Sequence, residues 1–569
     1  MVSSVSPVVN LVLLGETENP CSWPSGKVWS VKKSPEEVAG FIRRHAITDT
    51  ADAWFFWDSE FGRPEPDSVL SLLSLPGDVW HAGLRLGLAG QPGLFSFVRP
   101  TWTLNRDPDP DIVSTSWRLS LRACLIRASV LRSMEAFRQD FESLEAAALE
   151  MGYRFIRNGV ILRHVPWLIN EQPSVTPEKM PFFDEVLFVF YAARRKWTYW
   201  ALGNALAAGY ATFPDVFRAL RKLRGVAPQS EPSPFMRSPC DEKIDASRYR
   251  VSVLIPTLDR YEFLRKLLDQ LRNQTVSPLE IIVVDQTAIA RRANLVEEYK
   301  DLPLKLLYLD RAGQCSARNT GLAVASGDYI LFLDDDDEVS SDLIQAHLST
   351  MQRFQVPVSS GIAIDKAPAP ASDHLQYVCC SDVFPTGNTL ILRSVLEPSG
   401  LFDLAYDCGD HEDGDLGMRI YLTGVLMLLN PSIQVLHHHA PTGGLRTHGA
   451  NVITYKQTRT NLLTRRQPSP TLIYLWKRYF TPLNVKHQLR HSTLGTFFYQ
   501  GNRIGKIVKI LVGILALPQT LWRIKKNAGL ADQLLKHFPQ FPILRSLDPS
   551  QQEVEEDALI RTDLLSGSG

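Results

Sequence analysis

Residues Asp328–Val339 run from a short apolar segment into four consecutive aspartates, and this stretch most restricts how the chain can fold. The apolar part has the length of a buried strand. Asp334–Asp337 follow directly, and adjacent carboxylates repel one another and lose hydration energy when they leave water. A hard divalent cation relieves both costs, because Mg²⁺ and Mn²⁺ prefer carboxylate oxygens. Taken alone, the stretch fits an acidic turn in solvent equally well.

The length of the chain and the distribution of its charge restrict the number of domains and the class of protein. The chain has 569 residues, which is too long for one core, so we expect two or three domains. The formal net charge is zero, yet residues 416–531 hold sixteen lysines and arginines and no aspartate or glutamate. The seven cysteines lack zinc-like spacing, which indicates reduced thiols in a cytoplasmic protein. No run reaches the roughly 20 apolar residues that span a bilayer.

Apolar strands alternate with amphipathic helices from about residue 249, which predicts a doubly wound α/β sheet. The predicted strands are Val251–Ile255, Glu280–Val284, Leu304–Leu309 and Asp328–Leu333. Ligands of such sheets bind at the carboxyl ends of the strands. Pro256, Thr257 and Asp259 follow the first strand and Asp285 follows the second. This placement favours a metal site over an exposed turn at the four aspartates. Glycine-rich dinucleotide and P-loop motifs are both missing from the sequence.

Acidic residues also crowd the start of a predicted helix near residues 410–415. One acid would be enough for an N-cap and the helix dipole, so the excess of Asp410, Glu412, Asp413 and Asp415 favours at least one general base or ligand. Histidines end a later strand, where His437 and His439 are candidates for a metal ligand or a diphosphate contact, or are structural. Arg446 follows two glycines and would clamp phosphate or lie in a surface turn.

Taken in order, these segments resemble the family 2 glycosyltransferases of the GT-A fold. The resemblance covers about residues 249–440, a third of the chain. It rests on Val251–Arg260, Glu280–Asp285, Ala312–Leu322, Phe332–Asp337 and His411–Arg419. It implies an α/β fold with a mixed, mostly parallel GT-A sheet (Rossmann-like), followed here by C-terminal helices.

The resemblance also implies a role for each matching residue. Asp285 would contact the nucleobase, Asp334 the ribose and Asp336 the metal, while Asp413 would be the catalytic base. The remaining predicted contacts are Glu412 in catalysis, Pro256, Thr257, Asp259, Arg318, Asn319, Asp335 and Arg446 with the donor, and His437 and His439 with the metal.

The function implied is a metal-dependent, inverting glycosyltransferase of surface polysaccharide synthesis. Mg²⁺ or Mn²⁺ would be the cofactor, a UDP- or dTDP-sugar the donor, and a glycan or lipid-linked molecule the acceptor of a hexose or deoxyhexose. Two alternatives remain open: a nucleotidyltransferase, and a non-catalytic scaffold that binds sugars or nucleotides. Nucleic acid is not expected as a partner, because no binding motif is recognised.

The N-terminal part repeats the order of the later domain, which predicts a degenerate, non-catalytic GT-A-like copy over residues 1–175. Trp54–Glu60 would match Ile330–Asp336, and Ser143 would stand in place of the catalytic aspartate. An unrelated α/β domain is the alternative. The remaining predicted parts are a helical extension at 176–225, a proline-rich linker at 226–248, the catalytic domain at 249–445, a basic helical region at 446–540 and a tail at 541–569.

The basic region contains an apolar helix with Lys506 and Lys509, followed by Trp522–Lys526. A basic, tryptophan-bearing amphipathic helix is typical of proteins that bind an anionic membrane surface. We therefore expect a cytoplasmic protein at the inner face of the plasma membrane. A helix packed on the catalytic domain with a solvated basic side is the alternative.

Overall fold

A computed structural model describes residues 7–15, 22–134, 137–169, 179–226, 233–237, 244–245, 248–364, 376–440, 443–444 and 455–544. Within these ranges the strands form two sheets, one of seven and one of nine strands. Helices pack around both sheets, and a group of helices follows the second sheet. The predicted α/β class, with a mixed sheet and C-terminal helices, is confirmed.

The strands of the first sheet come from the first 164 residues. They are β1 (Val9–Leu14), β2 (Val28–Val31), β3 (Ala53–Asp58), β4 (Val79–His81), β5 (Ser114–Thr115), β6 (Ala123–Arg127) and β7 (Leu162–His164). The strands of the second sheet are β8 (Val251–Thr257), β9 (Glu280–Asp285), β10 (Leu304–Tyr308), β11 (Tyr329–Phe332), β12 (Asp337–Val339), β13 (Val358–Ile364), β14 (Cys379–Cys380), β15 (Thr389–Leu392) and β16 (Met427–His437).

The α-helices fall into three groups along the chain. Those before the second sheet are α1 (Pro35–Phe41), α2 (Pro66–Leu72), α3 (Ala128–Ser133), α4 (Leu144–Arg157), α5 (Phe182–Ala207) and α6 (Phe213–Leu223). Those of the second sheet are α7 (Tyr261–Arg272), α8 (Leu295–Glu298), α9 (Gln314–Val324), α10 (Leu343–Phe354), α11 (Leu396–Ser399) and α12 (Glu412–Leu422). Those after it are α13 (Tyr455–Thr460), α14 (Pro470–Tyr479), α15 (Pro482–Gly495), α16 (Arg503–Leu515) and α17 (Leu517–His537).

The second sheet has the order β10-β9-β8-β11-β15-β13-β16-β12, with β14 beside β16. Strands β10, β9, β8 and β11 are parallel, as their apolar runs predict, so their carboxyl ends meet at one edge. β15 is antiparallel to β11 and to β13. The short strand β12 was not predicted, because three residues that include Asp337 carry no strand pattern of their own. It pairs antiparallel with β16.

The first sheet has the order β2-β1-β3-β6-β4-β7-β5. Each of its neighbouring pairs runs in the same relative direction as the corresponding pair in the series β9-β8-β11-β15-β13-β16-β12. One difference is that β5 follows β4 in the chain whereas β12 precedes β13. This shared order and direction supports the predicted duplication over an unrelated α/β domain, and the duplication stays a prediction.

The two sheets share a core. One hydrophobic cluster includes Trp54 of the first sheet and Ile330 of the second. Between the sheets, the buried Arg163 Nη2 donates to the carbonyl oxygen of Gly424 at 2.9 Å. The predicted linker contributes as well, since Phe235 is buried and its backbone N–H donates to the Asn158 carbonyl at 2.8 Å. This segment therefore packs where it is described, rather than acting as a free spacer.

The helices after the second sheet pack beside helix α12. Helix α17 lies on α14, where Lys477 Nζ is 2.6 Å from an Asp532 carboxylate oxygen. Ser469, which caps α14, donates its hydroxyl to Asp410 at 2.6 Å, immediately before α12 begins. Among the described residues, no single helix has the length and apolar content to cross a bilayer. Helices α16 and α17, which meet at an angle of 61°, have that length and apolar content only when they are counted as one segment.

Glu280 at the start of β9 generates a prediction about acid stability. Its carboxylate accepts from Ser252 Oγ and from the Ser326 N–H, both at 2.6 Å, and pairs with Lys305. Burial alone would raise the pKa of this carboxyl, but these partners lower it from 4.5 to about 2. A depressed pKa stabilises the fold above the unfolded-state pKa, and this contribution is lost as the pH falls toward 2.

We expect Glu280→Gln to lower the free energy of unfolding by about 2 kcal/mol at neutral pH. The difference from wild type should shrink steadily below about pH 4.5, as measured by urea denaturation at several pH values. Glu262→Gln on α7 is the matched control, because the Glu262 side chain is 81% exposed. A difference that stays constant down to about pH 3 would contradict this account.

Candidate active site

The parallel register brings the predicted loops together at one edge of the second sheet. Thr257 at the end of β8 pairs with Asp285 at the end of β9. The Thr257 hydroxyl donates to Asp335 at 2.8 Å, and Arg260 Nη1 donates to the same carboxylate at 3.1 Å. Burial nevertheless raises the pKa of Asp335 to about 7, against the lowering effect of Arg260. Asp335 thus fastens the acidic loop to the loop after β8.

Asp336 is almost fully buried beside the same arginine. Its Oδ2 accepts from the Ala440 N–H at 2.8 Å. Its Oδ1 accepts no hydrogen bond within the described part of the chain, although Arg260 Nη1 lies 3.4 Å away and His437 Nδ1 3.7 Å away. A buried carboxylate oxygen in this state has room for a further positive partner.

Asp334, Asp337 and His437 form a group whose ligand atoms all lie within 4.8 Å of one another. Strand pairing explains the group, because Asp337 on β12 stands directly opposite His437 on β16, with His437 Nδ1 2.9 Å from Asp337 Oδ1. Two carboxylates and an imidazole suit Mn²⁺ or Mg²⁺. Burial would lower the pKa of His437, but Asp337 and the neighbouring aspartates raise it to about 9.

This group differs from the predicted metal ligands. Sequence reasoning selected Asp336, His437 and His439 and gave no role to Asp337. In the structure Asp337 belongs to the group, Asp336 lies beside it, and the His439 ring packs edge-on to His437 with centroids 4.4 Å apart. Gly387 was also missed. A Cβ atom there would lie 3.0 Å from Asp334 Oδ2 and 3.1 Å from Asp337 Oδ2, so a side chain at this position would crowd both carboxylates.

A single guanidinium joins the acidic loop to the start of helix α12. The buried Arg318 on α9 donates from Nη2 to Asp334 at 2.9 Å and to the Thr386 hydroxyl at 3.1 Å. Its Nη1 lies 3.6 Å from Glu412. Glu412 and Asp413 are therefore brought to the same place as the aspartate group, although about eighty residues separate them along the chain.

Glu412 and Asp413 are half-buried in the first turn of α12. Burial raises the pKa of both carboxyl groups; their mutual repulsion raises that of Glu412 further, while His411 opposes the rise at Asp413. Asp413 Oδ1 accepts from the Gly414 N–H at 2.7 Å, which fixes the direction of its carboxylate. A carboxylate with a raised pKa is a stronger proton acceptor, as general base catalysis requires.

The remaining predicted donor contacts are placed as follows. Asp285 is buried and accepts from the Tyr261 hydroxyl at 2.6 Å and from the Thr287 N–H at 2.9 Å. Asp259 has a positive φ of 58° and pairs with Arg291 at 3.0 Å. Asn319 exchanges two hydrogen bonds with the backbone of Phe402, at 2.8 and 3.0 Å, so its amide supports the fold at this place. Pro256 lies within β8, and Arg446 lies outside the described residues.

The corresponding edge of the first sheet carries a similar set of acids in a different electrostatic setting. Asp58 ends β3 and is fully buried, with Lys33 at 2.6 Å and Arg122 at 2.5 Å from its two oxygens. Ser143 is the N-cap of α4, as His411 is the N-cap of α12, and Glu145 is the second residue of α4, as Asp413 is of α12. Under the predicted duplication, Glu145 rather than Ser143 would then stand at the position of Asp413.

Residues 252–398 match the family model described as glycosyl transferase family 2. The amylovoran biosynthesis glycosyltransferase AmsB of Erwinia amylovora is 27% identical over 260 residues, which cover 41% of this chain and 84% of AmsB. A Campylobacter jejuni enzyme named GalNAc(5)-diNAcBac-PP-undecaprenol beta-1,3-glucosyltransferase is 32% identical over 121 residues, 21% of this chain and 39% of that enzyme.

Coverage of other relatives is smaller. Two further curated relatives, at 30% and 34% identity, have only 16% and 32% of their own length covered by this chain. Among solved structures, the mannosyltransferase PcManGT of Pyrobaculum calidifontis, in complex with GDP-Man and Mn²⁺, is 17% identical with a TM-score of 0.34. The match covers 57% of this chain and 90% of that one.

The geometry predicts that Asp337 contributes more to cation binding than Glu338, the next residue of β12, whose side chain lies on the opposite face of the strand. We expect Asp337→Asn to weaken Mn²⁺ binding at least about tenfold, because a carboxylate ligand is lost and His437 loses its partner. Glu338→Gln, whose carboxylate instead contacts His438 at 2.6 Å, should bind like wild type. Electron paramagnetic resonance of free Mn²⁺ measures both affinities. Normal binding by Asp337→Asn would contradict the ligand group.

Proposed function

We propose, from the premise that residues 252–398 form a family 2 glycosyltransferase domain, that the chain transfers a sugar from a nucleotide-sugar donor to an acceptor hydroxyl. Arg318 carries this proposal, since it contacts Asp334 on one side and lies near Glu412 on the other. The buried Arg318 guanidinium thus links two sets of carboxylates. One set suits a metal–diphosphate complex, and the other, Glu412 and Asp413, suits proton transfer. A transferase that activates both leaving group and nucleophile needs these two parts close together.

On the acceptor side, Asp413 would act as the general base. The acceptor oxygen forms a bond to the anomeric carbon of the donor, the bond from that carbon to the diphosphate oxygen breaks, and the hydroxyl proton passes to Asp413. Its raised pKa strengthens this proton transfer, and the Gly414 N–H holds the carboxylate in one orientation. A single displacement of this kind inverts the anomeric configuration, so we propose an inverting enzyme.

On the donor side, Asp334, Asp337 and His437 would hold a divalent cation, with the open oxygen of Asp336 beside them. When bound, such a cation neutralises the charge that develops on a diphosphate leaving group. Arg318 adds a fixed positive charge at the same edge and keeps Asp334 oriented. Asp285 lies at the neighbouring strand end, where we propose that it contacts the nucleobase.

For the acceptor we propose a growing glycan, lipid-linked or free, in surface polysaccharide synthesis. Support comes from the names of two relatives, one for amylovoran biosynthesis and one for a glucosyl transfer to an undecaprenol-linked saccharide. We propose a UDP- or dTDP-sugar as the donor.

The base assignment predicts that Asp413→Asn loses at least about a thousandfold in turnover while it still binds nucleotide in the presence of Mn²⁺. Release of nucleoside diphosphate from a panel of nucleotide sugars, with a saccharide acceptor, measures turnover; nucleotide binding is followed by calorimetry. Asp342→Asn is the control, because Asp342 is exposed and forms no side-chain cap. Equal turnover of Asp413→Asn and wild type would refute the base assignment. Release of pyrophosphate from nucleoside triphosphates would refute glycosyl transfer and indicate a nucleotidyltransferase.

A further inference from the structure

Helix α16 turns its apolar side away from the protein. The residues it buries are Gly505, Lys509 and Gly513, which lie four apart on one face. The opposite side exposes aliphatic side chains, among them Leu515 at 83% and Ile504 at 73%. The exposed apolar face, as we name it, consists of Ile504, Ile507, Val508, Ile510, Leu511, Ile514 and Leu515 on α16 with Leu521 and Trp522 on α17.

The inward contacts show that this orientation is specified by the sequence. Lys509 is buried, and its ammonium donates to the carbonyl oxygens of Thr458, Asn461 and Thr464 at 3.0, 2.8 and 2.7 Å. At Gly513 a Cβ atom would lie 2.6 Å from the Phe497 ring, so only glycine allows this close approach. Lys509 therefore fixes α16 to the backbone of residues 458–464, in contrast to the membrane-facing role predicted from the sequence. A rotation that buried the leucines would break all three hydrogen bonds.

The exposed charges on α16, and on α17 as far as residue 531, are of one sign. Arg503 and Lys506 on α16 and Arg523, Lys525 and Lys526 on α17 are exposed, and residues 416–531 contain no acidic residue. The first acid beyond them, Asp532, is paired with Lys477. An apolar strip with cations beside it on both helices fits a partner that offers hydrocarbon beneath a layer of negative charge.

We propose that the exposed apolar face of α16 and α17 docks the enzyme onto an anionic lipid bilayer, lying in the plane of the interface. Helix α16 has 13 residues, which is about 20 Å at 1.5 Å per residue and too short for a hydrocarbon core of about 30 Å. Trp522 sits at the apolar–basic border, as tryptophan does at membrane interfaces. The cytoplasmic leaflet carries the negative surface that this face requires.

Docking would also place the catalytic edge near lipid. Helix α17 packs on α14, and the cap of α14 bonds to Asp410, three residues before Asp413. This part of the inference rests on the proposed function, because it favours an acceptor whose saccharide is attached to a lipid anchor. The bilayer docking itself does not depend on which reaction the site performs.

The test is co-sedimentation of the full chain with vesicles of phosphatidylcholine alone and of phosphatidylcholine with 30 mol% phosphatidylglycerol. We expect binding to the anionic vesicles only, weakened at least tenfold in Ile507→Glu/Leu511→Glu. The matched control is Phe213→Glu/Phe217→Glu on α6, which introduces the same charges with the same spacing at side chains 77% and 70% exposed. Nucleoside diphosphate release in solution should be unchanged in both variants, which separates failure of docking from failure of catalysis.

Several results would overturn the proposal. One is equal vesicle binding by wild type and Ile507→Glu/Leu511→Glu, and another is equal binding to neutral vesicles. Resistance of the bound protein to extraction with alkaline carbonate would show an inserted pair of helices instead. A wild-type dimer that the double substitution converts to a monomer, without vesicle binding, would assign the face to a second copy of the chain.

Discussion

The candidate site depends on how buried negative charge is balanced. Four aspartates follow β11, and three of them are almost completely buried. Carboxylates in such positions are costly unless cations or hydrogen-bond donors neutralise them. Arg318 on α9, Arg260 just before α7 and His437 on β16 supply this compensation, because they pair with Asp334, Asp335 and Asp337 in turn. A bound cation would add to an arrangement that is already prepared for positive charge.

The same problem is solved differently at the edge of the first sheet. There Lys33 and Arg122 pair directly with Asp58 and also reach Glu60, so the protein's own cations satisfy the acids. Glu145, the second residue of α4, accepts a hydrogen bond from the Ser120 hydroxyl at 2.9 Å. The two sheets therefore share a strand order but differ in how the acidic residues at their strand ends are neutralised. At the first edge, cationic side chains pair with both oxygens of the buried Asp58. At the second edge, cations also contact the acids, but Asp336 Oδ1 accepts no hydrogen bond among the described residues, and three ligand atoms lie within 4.8 Å of one another. This difference accords with a non-catalytic role for the first copy.

Sequence reasoning identified the strand ends because buried parallel strands have a simple apolar pattern, and Thr257, Asp285 and Asp334 then follow by position. It missed the pairing of Asp337 with His437, because that contact depends on the register of two strands one hundred residues apart, one of them three residues long. It also misjudged Lys509, whose direction is set by the small residues Gly505 and Gly513 on the same face of α16. Hydrophobic periodicity shows that one side of a helix is apolar, but it does not show whether that side or the opposite one packs against the rest of the protein.

We infer that Arg318 couples the donor side of the proposed site to its acceptor side. The most direct measurement is the rate of nucleoside diphosphate release by Arg318→Gln across a titration of Mn²⁺. Because the guanidinium orients Asp334 and lies beside Glu412, the account predicts that the variant needs more Mn²⁺ for half-maximal rate and that its maximal rate falls. An unchanged Mn²⁺ requirement together with an unchanged maximal rate would contradict it.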